Sequence, residues 1–164
     1  IDTAVFSSKA NRINLGSTNR QNTRDGNDIL TGIENVNGGG GHDIITGNKS
    51  ANTLNGGNGN DILYGGKGND RLVGENGIDI LTGGVGNDTL TGGAGNDIFR
   101  INSGVGRDLI TDYTSGEDRI KLLGGITEND LTFSYVGGHT RIKDDEGDLL
   151  AIVQNTIAAD ITFI

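Results

Sequence analysis

Cysteine, proline, methionine and tryptophan are all missing from this chain, and aromatic residues make up only 4% of it. Without cysteine there is no disulfide staple, and the redox compartment cannot be read from thiols. Hydrophobic residues reach only 32% of the 164, which is little from which to build a broad apolar core. No apolar run approaches the roughly 20 residues that cross a bilayer as a helix. The start at Ile1 shows no basic segment followed by an apolar one, which argues against an N-terminal signal peptide and for a piece of a longer protein. Basic residues number 13 against 22 acidic ones, a formal charge of −9. They form no stripe with interleaved aromatics, so no nucleic-acid partner is expected.

What the chain has in abundance is glycine, 30 residues of it. Scattered glycine would make a flexible linker, whereas glycine at fixed spacing marks backbone positions that need positive φ or close approach. Here the spacing is fixed. From Gly38 to Arg100 the chain parses into seven consecutive nonapeptides: GGGGHDIIT, GNKSANTLN, GGNGNDILY, GGKGNDRLV, GENGIDILT, GGVGNDTLT and GGAGNDIFR. Position six is Asp43, Asn52, Asp61, Asp70, Asp79, Asp88 and Asp97, and position eight is Ile45, Leu54, Leu63, Leu72, Leu81, Leu90 and Phe99. Each unit reads as a six-residue turn and a three-residue strand with one inward side chain. Two units complete one coil, with parallel stacking of strands about 4.8 Å apart.

The predicted fold class is therefore all-β, a right-handed parallel β-roll (a β-solenoid with two nonapeptides per coil). Upstream, GNDILT (Gly26 to Thr31) matches positions four to nine and reads as a degenerate entry coil, with GIENVN intervening before Gly38. Thr3 to Phe6 and Arg12 to Leu15 read as short strands, and Asn19 to Asp25 as a loop. Residues 1–37 are expected to form an N-terminal cap. Downstream, Gly106 to Thr111 and Gly116 to Lys121 keep the GxDxUx half of the repeat, extending the roll in degenerate form over residues 101–122. Residues 123–164 are expected to be a C-terminal antiparallel β cap, with strands at Leu131 to Val136, Thr140 to Lys143, Leu149 to Val153 and Ile161 to Ile164.

The repeat has the chemistry of a hard dication site. Calcium takes six to eight oxygen ligands from carboxylates and backbone carbonyls, and each turn offers one aspartate and glycine-permitted curls of carbonyls. Without a cation, stacked aspartates such as Asp61 and Asp79, or Asp70 and Asp88, would set like charges together. Asx-type turns alone would account for a few Gly-Asn-Asp turns, but not for this many in phase with a glycine pair and an apolar position.

These repeats resemble the RTX, or repeats-in-toxin, hemolysin-type calcium-binding family. The resemblance implies that carbonyls of positions two and four and the position-six aspartate of one turn meet carbonyls of positions one and three and the aspartate two repeats later. Gly39, Gly41 and Asp43 would then face Gly56, Asn58 and Asp61, and Gly57, Gly59 and Asp61 would face Gly74, Asn76 and Asp79. On the other edge, Gly66, Gly68 and Asp70 would face Gly83, Val85 and Asp88. Glu75, Gly77 and Asp79 would face Gly92, Ala94 and Asp97. Gly84, Gly86 and Asp88, and likewise Gly93 and Gly95, would find partners in the irregular stretch, with Asp108, Asp112 and Asp118 as candidates. Repeat two departs from the pattern at Asn48, Ser50 and Asn52, so the site it shares with Gly65, Lys67 and Asp70 is expected to be weak or empty. The implied cofactor is Ca2+, roughly five to seven ions bound at about 10⁻⁴ M each.

No catalytic residues are identified. There is no GxxxxGK[ST] phosphate loop, since Gly47-Asn48-Lys49-Ser50 has asparagine between glycine and lysine. Asp144 to Asp148 is no EF-hand loop and reads as a solvated hairpin turn. His42 and His139 read as surface histidines, and the chain is expected not to be an enzyme. The resemblance implies a secreted, extracellular module that folds on calcium, exported by type I secretion machinery with its signal near Asp160 to Ile164. Two alternatives stay open: an adhesin or polysaccharide-binding module for a cell surface, or the non-catalytic tail of a secreted lipase, protease or epimerase. The position-seven residues Ile44, Thr53, Ile62, Arg71, Ile80, Thr89 and Ile98 mix apolar, polar and basic groups and show no dedicated binding stripe.

Overall fold

The structure is a computed structural model that describes residues 2–17, 19, 21–22, 27–28, 30–102 and 106–164. Its strands are β1 (Thr3–Val5), β2 (Arg12–Asn14), β3 (Gln21–Asn22), β4 (Asn27–Asp28), β5 (Asn35–Asn37), β6 (Ile44–Thr46), β7 (Thr53–Asn58), β8 (Ile62–Lys67), β9 (Arg71–Asn76), β10 (Ile80–Val85), β11 (Thr89–Ala94), β12 (Ile98–Ile101), β13 (Asp108–Ile110), β14 (Arg119–Leu122), β15 (Thr132–Val136), β16 (His139–Lys143) and β17 (Leu149–Val153). Among the described residues there is no α-helix, and so none long and apolar enough to cross a membrane.

Successive strands alternate between two sheets. One has the order β1-β5-β7-β9-β11-β13-β17-β16-β15 and the other β14-β12-β10-β8-β6-β2. In the first sheet the neighbours from β1 to β17 are parallel and β16 runs antiparallel to both β17 and β15; the second sheet is parallel throughout, and β3 and β4 make a separate antiparallel pair. Two nonapeptides thus make one coil of a β-roll, and the stacking register follows the repeat, Leu63 beside Leu81 beside Phe99. Each coil places one apolar side chain inward from each sheet. Val36, Leu54, Leu72, Leu90, Ile110 and Val153 form one buried row, and Ile13, Ile45, Leu63, Leu81, Phe99 and Ile120 the other. This core is thin, one side chain per strand, and full burial of each contributes roughly 1.5–3 kcal/mol.

Several expectations need adjusting. Strands β7 to β11 are six residues long, not three. They run from position seven through the glycine pair of the next repeat, because the turns stack as tightly as the strands and keep the ladder going. The position-seven row divides by sheet: Ile44, Ile62, Ile80 and Ile98 align on one, Thr53, Arg71 and Thr89 on the other.

At the N-terminal end, Gly26, Ile29 and most of 19–25 lie outside the described residues. Asn27 and Asp28, of the GNDILT segment, pair antiparallel with Gln21 and Asn22 and not with a strand of either large sheet. The repeat-like unit is instead the segment after it, where Val36 stacks between Ala4 and Leu54. At the C-terminal end, Ile161 to Ile164 make no strand, only a bridge from Phe163 to Ile120. Asp144 to Asp148 does join β16 to β17, but Asp144 is buried and its Oδ1 accepts the Asp148 N–H at 2.8 Å.

Candidate metal centre

The glycines explain the close stacking of the turns. Gly57 and Gly59 have φ of 101° and 134°, and a Cβ on either would overlap the carbonyl oxygen of Gly39 or Gly41 in the coil before. Position-one glycines such as Gly56, Gly65, Gly74, Gly83 and Gly92 lie against the carboxylate of their own repeat, leaving no room for a side chain. The turns are knit by amides. Asn58 N–H donates to Gly39 O at 2.9 Å and Gly41 N–H to Asn58 O at 2.8 Å. Gly59, Gly68 and Gly77 donate in the same way to the carbonyls of Asn76, Val85 and Ala94, and Lys67 N–H donates to Asn48 O. Glu75 keeps φ at 78°, the one repeat residue besides glycine with positive φ, and its Oε1 accepts from Asn55 Nδ2 at 2.5 Å.

The position-six aspartates stack in two columns, one along each turn edge. On the first, the N–H of Asn11 donates to Asp43 Oδ1, Asp43 to Asp61 and Asp61 to Asp79 at 2.7 Å, Asp79 to Asp97 at 2.9 Å, and Asp97 to Asp118 at 2.8 Å. On the second, Asn52 N–H donates to Asp70 Oδ1 and Asp70 to Asp88 at 2.8 Å, and Asp88 to Asp108 at 3.2 Å. One oxygen of each aspartate is used in this way. The other, Oδ2 of Asp43, Asp61, Asp70, Asp79, Asp88 and Asp97, is buried without a hydrogen-bond partner.

A buried carboxylate oxygen with nothing donating to it is costly unless a cation answers it. Burial accordingly pushes these carboxyls up, to about 6 for Asp43, Asp70 and Asp97 and about 7 for Asp79. Asp61 and Asp88 are raised by the same cause. Asp108 rises to about 8, through burial and then the charge of Asp88. Among the described residues no group of three or more acidic, histidine or cysteine side chains converges. The remaining ligands for a cation would have to be backbone carbonyls; at Gly38, Gly65 and Gly74 the Oδ2 of Asp43, Asp70 and Asp79 and the carbonyl oxygen of Gly56, Gly83 and Gly92 border the same space. The donor set is hard oxygen throughout, which fits Ca2+. Backbone and carboxylate bonds stack the turn of Gly39, Gly41 and Asp43 on that of Asn58 and Asp61.

Where the repeat is eroded, amides do the work of a cation. In repeat two, Asn52 Oδ1 lies against Gly47 and accepts the Asn48 N–H at 2.8 Å, and its Nδ2 donates to Glu34 O at 3.0 Å. Asn48 and Ser50 lack positive φ, so the turn is differently curled and leaves no orphan. Asp118 is closed similarly, its Oδ2 accepting from Thr114 N–H at 2.8 Å. Asp112 lies outside the column, and its two oxygens accept the N–H groups of Gly92 and Gly93.

Sequence reasoning missed three members of the position-six columns. Asp2, Glu34 and Asn11 each precede an inward residue by two, as in the repeat: Ala4, Val36 and Ile13. Glu34 Oε2 accepts Asp2 N–H at 2.8 Å, the same contact the aspartates make. The signal was the x-[DEN]-x-U spacing without its glycines. The histidines are also more than surface groups. His42 Nδ1 accepts Asn60 N–H at 2.7 Å, in line with Asn60 Oδ1 to Ile78 N–H and Asn69 Oδ1 to Asn87 N–H, so position five laces turn to turn. His139 Nδ1 accepts Asn155 N–H at 3.2 Å.

Fold and site together define a parallel β-solenoid with a carboxylate-and-carbonyl cradle in its turns. Residues 37–72 and 73–110 match the RTX calcium-binding nonapeptide repeat (4 copies) family. This stretch is thus built of RTX-type calcium-binding repeats, a non-catalytic fold. Solved structures similar to it include two from the Azotobacter vinelandii mannuronan C5-epimerase. The AlgE6R3 subunit is 27% identical over 75% of this chain and 77% of its own, with TM-score 0.46. The AlgE6R2 subunit is 23% identical over 99% and 92%, with TM-score 0.44. No curated protein matches.

Proposed function

We propose that this domain is a calcium-triggered folding module of a larger secreted protein, unfolded at cytosolic calcium and folded outside the cell. The observation that carries the reading is the set of six buried, unanswered Oδ2 atoms, on Asp43, Asp61, Asp70, Asp79, Asp88 and Asp97. Each marks one ion, held with the position-two and position-four carbonyls of its own turn and the position-one and position-three carbonyls and position-six side chain of the next coil. At millimolar calcium and a Kd of about 10⁻⁴ M, each filled site contributes about 1.4 kcal/mol, so six contribute about 8 kcal/mol. At submicromolar calcium the contribution vanishes, and the thin core is left with a stack of buried carboxylates. Residues 1–37 and 123–164 act as caps on the roll, which residues 38–122 form, and type I export carries the chain out before calcium folds it.

Calorimetric titration of the chain with calcium tests the ligand assignment. Six ions per chain are expected, with proton release on binding at pH 6 from the raised carboxyls. Saturation at two ions or fewer, or no proton release, contradicts it.

A further inference from the structure

Residues 6–14, Phe-Ser-Ser-Lys-Ala-Asn-Arg-Ile-Asn, contain no glycine, yet they make the contacts of a complete nonapeptide. Phe6 N–H donates to Asn37 O at 2.9 Å, as position-one Gly38 N–H does to Asn55 O. Gly40 N–H donates to Ser7 O at 2.9 Å, as Asn58 N–H does to Gly39 O. Ile44 N–H donates to Asn11 O at 2.9 Å, as Ile62 N–H does to Asp43 O at 2.8 Å. A Cβ on Gly39 would overlap Ser7 O, as one on Gly57 would overlap Gly39 O. The contacts of Asn11 with the next coil span 32 residues where those of Asp43 span 18. The difference is the segment that contains the β3–β4 pair.

In this register Phe6 is position one and Asn11 position six, so the turn 6–11 on the turn 38–43 has the backbone of a metal site. What differs is the side chain. Asn11 is 3% exposed. Its Nδ2 donates to Lys9 O at 2.6 Å and Gly38 O at 3.4 Å, the position-four carbonyl of its own turn and the position-one carbonyl of the next, the latter of the kind that borders an orphan Oδ2 at Asp43, Asp70 and Asp79. Its Oδ1 is buried without a partner. The amide NH2 answers these two carbonyls as a cation would, with no charge to bury.

We infer that turns 6–11 and 38–43 form a latent seventh calcium site at the N-terminal end of the roll, closed by the Asn11 amide. This rests on the six-ion reading above. Turn 38–43 thereby stacks on a turn that is closed without calcium.

Native mass spectrometry of the 164-residue chain across a calcium series tests it, with far-UV circular dichroism reporting the fold. Asn11→Asp should bind one ion more than the parent chain at saturation. Asn11→Ala should keep the parent's count but need more calcium to fold, because its two carbonyls lose their donor. An unchanged count in Asn11→Asp, with a folded spectrum, overturns the latent site. A count one lower in Asn11→Ala overturns the closure, since Asn11 would then be a ligand. If the parent chain binds no calcium, it is the six-ion reading that fails.

Discussion

Along one turn edge, Asp43, Asp61, Asp79 and Asp97 each hold a buried Oδ2 with no donor; along the other, only Asp70 and Asp88 do, and Asn52 stands where a further aspartate would be. The stacking is the same on both. Asn52 N–H reaches Asp70 Oδ1 at 2.8 Å, as Asp43 N–H reaches Asp61 Oδ1 at 2.7 Å. The ladder therefore does not depend on the metal-facing oxygen. What changes is whether that oxygen is answered from within the protein, by the Asn48 N–H, or left for a cation. Calcium dependence is set turn by turn, on a scaffold common to both edges.

The largest expected effect separates the edges directly. Asp79 sits between two intact turns, so Asp79→Ala should remove two ions and lower stability in saturating calcium by about 3–5 kcal/mol, the scale of breaking a buried charge pair. Asp70 has the closed Asn52 turn on one side, so Asp70→Ala should remove one ion and cost about half as much. Chemical denaturation at fixed calcium measures both, and equal losses would break the comparison.

The next effect is of pH. The raised carboxyls bind protons more tightly in the calcium-free fold than in the unfolded chain. Their stabilisation of that fold is complete below about pH 4 and is lost as pH rises through about 6 for Asp43, Asp70 and Asp97, 7 for Asp79 and 8 for Asp108. Calcium must displace those protons. The calcium midpoint of folding should therefore rise as pH falls from 8 to 5, while the fold in chelator becomes less unfavourable. A pH-independent midpoint would contradict the assignment of these carboxylates.

A smaller effect sharpens the same contrast. Restoring the repeat by Asn48→Gly, Ser50→Gly and Asn52→Asp together should add one ion, worth about 1 kcal/mol at millimolar calcium, and make the edges alike. Mass spectrometry counts the ion. Smallest is Glu75→Gly, which relieves a φ of 78° and should gain about 1 kcal/mol, or a few degrees in Tm, offset in part by the lost bond from Asn55. Calorimetric melting in calcium reads it.

The roll and its columns were legible because period and residue type coincide: Asp61, Leu63 and Gly57 each recur where stacking demands that residue and no other. The N-terminal coil was not, and the reason is physical. Gly57 and Gly59 must be glycine because a preceding coil's carbonyls fill the space of a Cβ; within the 164 residues no coil stacks on Ser7 and Lys9, and their turn carries no glycine signature. Asn27 and Asp28 carry repeat letters but pair antiparallel with Gln21 and Asn22. Glu34 was hidden by its type, since a longer acid serves the same acceptor role in its column. Nor could the sequence alone show that Asn52 is answered by Asn48, because that depends on how the turn curls.

The most direct test of calcium as the missing partner is far-UV circular dichroism of the chain in excess EGTA and again after adding millimolar calcium. A coil-like spectrum in chelator that converts cooperatively to a β spectrum, with magnesium ineffective, is the predicted result. A β spectrum already complete in EGTA, with the same melting temperature before and after calcium, would contradict it.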